Sequence, residues 1–238
     1  MTTSLTSVAM TTSPVSFADA DLFARVAANL AGINERISAA GRDSAGVRVV
    51  AVTKTFGPEA ARAALAAGIG ALGENYVDEL EQKRAVLAGL HVRWHYLGHL
   101  QTNKIARVLK NADLICGVSR AREVEKIAAL KPGASIYVQV DFTGAAGRNG
   151  ATPSVARELV RHGLASGLDV RGLMTVAPVD SGDAARAFAR TREMVDELAL
   201  VECSMGMSDD LELACEHGTS EVRVGRALFG SRVSAPRA

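Results

Sequence analysis

Lys54 stands at the end of an apolar row in which Val50 and Val52 fall on its own side of an extended segment. Burial of that row would strip water from the amine and lower its pKa, favouring the neutral nucleophile that condenses with a carbonyl to an imine. The alternative is a lysine whose stem covers the strand end while its ammonium reaches water. Two later turns could hold an anion. The run from Ser204 through Gly206 to Asp210 and the run Val224, Gly225, Arg226 are small-residue turns expected at helix starts. There, amide N–H groups and the helix dipole attract negative charge. Ser204 adds a hydroxyl donor, and Gly206 and Gly225 allow close backbone approach; two ordinary glycine turns are the alternative. Arg223 precedes Gly225 by two residues and points to the same side. Inside a fold it would need an acceptor, and an ion-paired surface role is the other reading.

Other constellations carry less. His91, His95 and His99 recur every four residues among Val92, Trp94, Tyr96 and Leu97, a strand-like setting. Residues four apart on a strand are about 13 Å distant, too far to share a metal at about 2 Å. Gly144, Gly147 and Gly150 suggest a mobile loop, not a dinucleotide fingerprint, since no helix opens directly on them. Asp209 and Asp210 suit the start of a helix and need no catalytic role. Cys116, Cys203 and Cys215 share no CxxC spacing and read as buried reduced thiols.

The elements that must position these groups follow from periodicity. Apolar residues at helical spacing (Leu22, Phe23, Val26, Leu30, Ile33, Ile37) predict a helix over 19–40, capped by Asp19 or Asp21 and ended by Gly41. Strands are then expected at 47–54, 69–73, 92–98, 114–118, 135–142, 170–176, 201–205 and 222–225. Helices fall between them at 58–68, 77–88, 103–109, 120–130, 153–165, 183–200 and 208–217. Pro58 before and Gly68 after the first of these match the usual asymmetry of helix ends. Such alternation implies parallel βαβ units. Eight repeats point to a single (β/α)8 TIM barrel of class α/β with an extra N-terminal helix, and an open doubly wound sheet is the runner-up. In a barrel, loops after strands seven and eight are the usual phosphate site.

The chain of 238 residues carries 27 Lys plus Arg against 26 Asp plus Glu, a net charge of +1. That balance gives no electrostatic argument for nucleic acid or a membrane surface. No apolar run approaches the roughly 18 residues needed to span a bilayer. The first twenty residues hold no Lys or Arg, so no secretory n-region is present and a cytoplasmic location is expected. Residues 1–16 read as a disordered tail and residues 17–238 as one barrel.

The runs AVTK (51–54), GENY (73–76), WHYLGHLQTNK (94–104), RGLM (171–174), SMGMSDD (204–210), VRVG (222–225) and LFG (228–230) resemble, in order, the pyridoxal phosphate homeostasis protein family. Its barrel is similar to the N-terminal domain of alanine racemase. The resemblance implies pyridoxal 5'-phosphate as cofactor, held as a Schiff base on Lys54, with Asn75 close to the ring. It implies that Ser204 and the backbone of Gly206, Gly225 and Arg226 hold the phosphate, and that Arg223 faces the pyridine nitrogen. An arginine there disfavours ring protonation and weakens the electron sink that carbanion chemistry needs. Arg226 departs from the family, which usually has Thr or Ser there, and the link 198–203 is shorter than the family's.

Two functions compete in earnest. One is a non-catalytic protein that stores, delivers or buffers the cofactor, with apo-enzymes as recipients and a monomer or weak dimer as its state. The other is an amino-acid enzyme such as a racemase. Alanine racemase requires a second domain supplying an opposing tyrosine base, and the sequence stops at Ala238, soon after strand eight. A class I aldolase is disfavoured because strand six has no lysine. The cofactor-handling protein is the expectation.

Overall fold

The computed structural model describes residues 17–145 and 147–230. The tail expected over 1–16 lies outside the described residues. Eight parallel strands pair in sequence order: β1 (Arg48–Val52), β2 (Ala71–Glu74), β3 (Arg93–Tyr96), β4 (Leu114–Val118), β5 (Ser135–Val140), β6 (Asp169–Thr175), β7 (Glu202–Ser204) and β8 (Glu221–Val224). β8 pairs back onto β1, closing a barrel and ruling out the open sheet. Helix α1 (Phe17–Ala39) precedes β1. The helices α2 (Pro58–Ala66), α3 (Val77–Val86), α4 (Ile105–Asn111), α5 (Ala121–Leu130), α6 (Pro153–Ala165), α7 (Ser181–Glu197), α8 (Leu211–Glu216) and α9 (Arg226–Phe229) follow their strands.

The period of two divides each strand between two environments. Ala51, Leu72, Trp94, Ile115 and Val222 join the helices in the main core. Leu114, Cys116, Tyr137 and Met174 form a separate cluster inside the barrel. Between Ile136–Val170 and Tyr137–Gly172 the β5–β6 register slips by one residue, leaving Arg171 looped out. Its guanidinium turns to Glu202, donating from Nη2 at 2.6 Å.

Most boundaries shift from the sequence expectation by one to three residues, and three of the shifts bear on the site. β1 stops at Val52, because Phe56 N donates to Thr53 O at 3.0 Å and Thr55 takes a φ of 65°. Lys54 therefore sits in a turn past the strand. β7 spans only Glu202–Ser204; Ala199, at a φ of 51°, turns the short link after α7 straight into it. β8 begins at Glu221, which brings that carboxylate inside the barrel.

Two devices brace the C-terminal mouth. Helix α1 buries Val26, Ile33 and Ile37 and packs on α2, α8 and α9. From it, Asn29 Nδ2 donates to Leu228 O at 2.8 Å, and Arg36 Nη2 to Ser208 O at 3.0 Å and Glu212 Oε2 at 2.7 Å. Behind β1 and β2, buried Lys83 donates to Thr53 O at 2.7 Å and Glu74 Oε1 at 2.5 Å, tying the two strand ends together. Glu79 extends the tie by accepting from Thr55 N at 2.8 Å.

Burial raises the Glu74 carboxyl above the ordinary carboxylate range, with the hydrogen bonds from Lys83 and Thr53 opposing. Lys83→Met would leave that carboxyl without its cation and should cost about 3–5 kcal/mol at neutral pH. The folded variant would hold a proton that the unfolded chain has already released, so its stability is lost as pH rises and regained as pH falls. Urea melts of variant and wild type at pH 5 and pH 7.5 check this; a deficit equal at both pH values would refute it.

Candidate functional site

A cavity of about 660 Å³ opens at the C-terminal ends of the strands, where reactive groups of this architecture gather. Of the residues singled out from sequence, Lys54, Asn75, Arg223, Gly225 and Arg226 line it. Lys54 enters half-buried from the turn after β1, above Val52. Asn75 follows β2 directly. Its carbonyl lies so close to Gly98 that a Cβ there would stand 2.0 Å from Asn75 O, so this loop crossing requires glycine.

Arg223 forms part of the cavity floor and is 5% exposed. Its Nη1 donates to Ser204 Oγ at 2.8 Å and its Nη2 to Thr175 O at 2.7 Å. Burial pushes its pKa down from the usual arginine value, and the nearby Glu221 charge opposes that.

Ser204 and Gly206, expected around an anion, are not among the residues that line the cavity. Ser204 is the last residue of β7 and faces the barrel interior, fully buried, where its hydroxyl donates to Glu221 Oε1 at 2.7 Å. Gly206 makes a bend with a φ of 95°; its carbonyl accepts from Arg223 N at 3.0 Å, and an added Cβ would meet Ala214 Cβ at 2.6 Å. The turn after β7 is also not a helix start, since α8 begins at Leu211. The hydroxyl that does line the cavity is Ser208, which accepts from Ala227 N at 3.1 Å and so keeps its own proton for a further acceptor. The sequence held the signal: a period of two sends Ser204 inward with Glu202, while Ser208 lies past the strand end.

On the β8 side, α9 has four residues, too few for a sizeable dipole, so what remains there is amide groups and small residues. Arg226 sits at the rim and is ion-paired with Asp209. Sequence reasoning also missed Gln139 and Asn149, which line the cavity and are joined by Gln139 Nε2 donating to Asn149 O at 3.0 Å. In the glycine-rich loop after β5, Arg148 Nη2 donates to Val176 O at 2.9 Å.

Beneath the floor lies a column of buried charge that sequence reasoning did not find. Glu202 accepts from Arg171 at 2.6 Å and Arg48 at 3.1 Å, and also from Tyr137. Glu221 accepts from Ser204 at 2.7 Å and Arg48 at 3.2 Å. Burial opposes its ionisation, but His95, Ser204 and the Arg223 charge outweigh that and hold it down to about 2. His95 is itself wholly buried, with Nδ1 3.6 Å from Glu221 Oε2.

The histidine series does not converge: His95 is on β3, whereas His91 and His99 are exposed in its flanking loops. Among the described residues, no three His, Cys, Asp or Glu side chains are grouped to hold a metal ion. The three cysteines are buried free thiols, and burial pushes Cys203 up to about 12. No helix among the described residues is long and apolar enough to cross a membrane.

The sequence pattern of the family described as alanine racemase, N-terminal domain, matches residues 24–233. A pyridoxal phosphate homeostasis protein of Pseudomonas aeruginosa is 38% identical over 224 residues, covering 90% of this chain and 95% of the relative. That of Deinococcus radiodurans is 41% identical over 209 residues, covering 86% and 99%. The solved structure of PipY from Synechococcus elongatus with PLP bound superposes with a TM-score of 0.76 at 30% identity, over 86% of this chain and 100% of PipY. With agreement of this extent in both sequence and barrel, the chain belongs to the pyridoxal phosphate homeostasis protein family.

Proposed function

We propose that this chain binds pyridoxal 5'-phosphate in the cavity, holds it as a Schiff base on Lys54, and serves cofactor homeostasis in the cytoplasm by storing, buffering or delivering it. The observation that carries the reading is that Lys54 and the buried Arg223 line one cavity at the mouth of a closed barrel. The residues present fit the group. The cavity, at about 660 Å³, is within the range of small-molecule sites, and it offers an amine, a guanidinium on the floor, and a hydroxyl beside the turn after β8. When bound, the cofactor supplies an aldehyde that condenses with the Lys54 amine and releases water. PipY, the relative whose solved structure carries PLP, supports the assignment.

The residues around Lys54 favour holding over turnover. Racemisation needs a second base across the ligand, and among the described residues neither Tyr nor His lines the cavity; Asp209 does, but is paired with Arg226. Arg223 keeps its proton, so it can donate to a ring nitrogen without protonating it. Holo-protein is therefore expected to show no appreciable racemase, transaminase or decarboxylase activity on a panel of amino acids, yet to pass its cofactor to an apo-enzyme. Robust turnover that disappears in Lys54→Ala would make this an enzyme instead.

Borohydride reduction and peptide mapping should place the pyridoxyl mass on the Lys54 peptide. A label mainly on Lys104 or Lys110 would reject the assignment. At the anion end, Ser208→Ala removes a charge-assisted donor worth about 1.5–3 kcal/mol. Equilibrium titration should then show affinity for pyridoxal phosphate lower by about tenfold or more. An unchanged affinity would put the phosphate elsewhere.

A further inference from the structure

The buried charge beneath the cavity reaches the site through Arg223. We propose that Ser204 and Glu221 are positioning residues that hold the Arg223 guanidinium in one orientation toward an aromatic nitrogen acceptor of the ligand. This rests on the pyridoxal phosphate reading above, and it moves Ser204 from the phosphate end of the ligand to the ring-nitrogen end.

Each bond in the chain has a fixed direction. A guanidinium only donates and an ionised carboxylate only accepts. The Ser204 hydroxyl, accepting from Arg223 Nη1 at 2.8 Å, must give its proton to Glu221 Oε1 at 2.7 Å. The other Glu221 oxygen receives Arg48 Nη1 at 3.2 Å and has His95 Nδ1 3.6 Å away, so the carboxylate is held from two sides. Thr175 O, accepting from Nη2 at 2.7 Å, clamps the guanidinium edge away from Ser204. Glu221 and Arg223 stand two apart on β8 and share a face, yet they are joined through the neighbouring strand β7. The Glu221 charge, one hydroxyl away, offsets the cost of burying the Arg223 cation. Without that link the guanidinium could still be present but misaimed, and a misaimed donor gives the ring nitrogen nothing.

Pyridoxal, which lacks the phosphate, separates the two ends of the ligand. Wild-type binding of pyridoxal phosphate is measured first, and failure there overturns the cofactor reading together with this one. Given binding, Ser204→Ala and Glu221→Gln should each weaken pyridoxal phosphate and pyridoxal by the same factor, about tenfold. Ser208→Ala should instead weaken pyridoxal phosphate more than pyridoxal. In an Arg223→Gln background, Ser204→Ala should add little further loss, because it acts through the arginine. Ser204→Thr, which keeps the hydroxyl, should retain affinity. A Ser204→Ala loss confined to pyridoxal phosphate, or one undiminished in the Arg223→Gln background, would overturn the proposal. If circular dichroism finds Glu221→Gln unfolded, the Ser204 variants and the Arg223 cycle decide alone.

Discussion

Glu202 and Glu221 are carboxylates inside a closed barrel, and much of this protein is arranged around the cations that make their burial tolerable. An unpaired charge in such a place would cost several kcal/mol, enough to remove a large part of a domain's stability. Arg48 reaches both carboxylates from the start of β1, and Arg171 reaches Glu202 from the slipped register of β6. Arg223 approaches from above, through Ser204. The interior is thus divided along its axis, with ion pairs low, the apolar cluster around Leu114, Tyr137 and Met174 to one side, and the ligand cavity at the top.

That arrangement gives the cavity a floor set by strands and walls set by loops. Arg223 is set by strands and buried bonds, whereas Lys54, Asn75 and Ser208 come from the loops that follow strands. Each loop has its own anchor. Lys83 and Glu79 serve the turn bearing Lys54, and Gly98 admits the Asn75 backbone. Ser208 is held through its carbonyl by Arg36 and through its hydroxyl by Ala227. Phe56, two residues past Lys54, meets Phe229 with ring centroids 5.1 Å apart and so links the amine wall to the β8 wall.

Much of this was legible in the sequence. Alternating strand and helix signals gave the barrel, and the row Val50, Val52, Lys54 pointed the amine to the mouth, where it lies although β1 ends two residues earlier. Arg223 was likewise readable from its position before Gly225. The buried carboxylates were not. Glu202 and Glu221 sit at the starts of short strands, where a charged residue ordinarily faces water, and only the closing of the ring around Arg48 makes them interior. The Ser204 acceptor is not legible for the same reason: Glu221 is 17 residues away and on another strand. The helix after β7 starts later than the sequence suggests, because Ser208, Asp209 and Asp210 look like a capping run yet form three turn residues before Leu211.

The attachment of α1 bears on the cavity. This helix lies outside the barrel, yet Asn29 and Arg36 hold the carbonyls of Leu228 and Ser208, at the two turns that wall one side of the cavity. Peripheral helices open locally at lower free energy than closed sheets do. Detachment of α1 would release both turns while the β-ring stayed intact. One wall of the cavity thus depends for its order on a helix that does not itself line it.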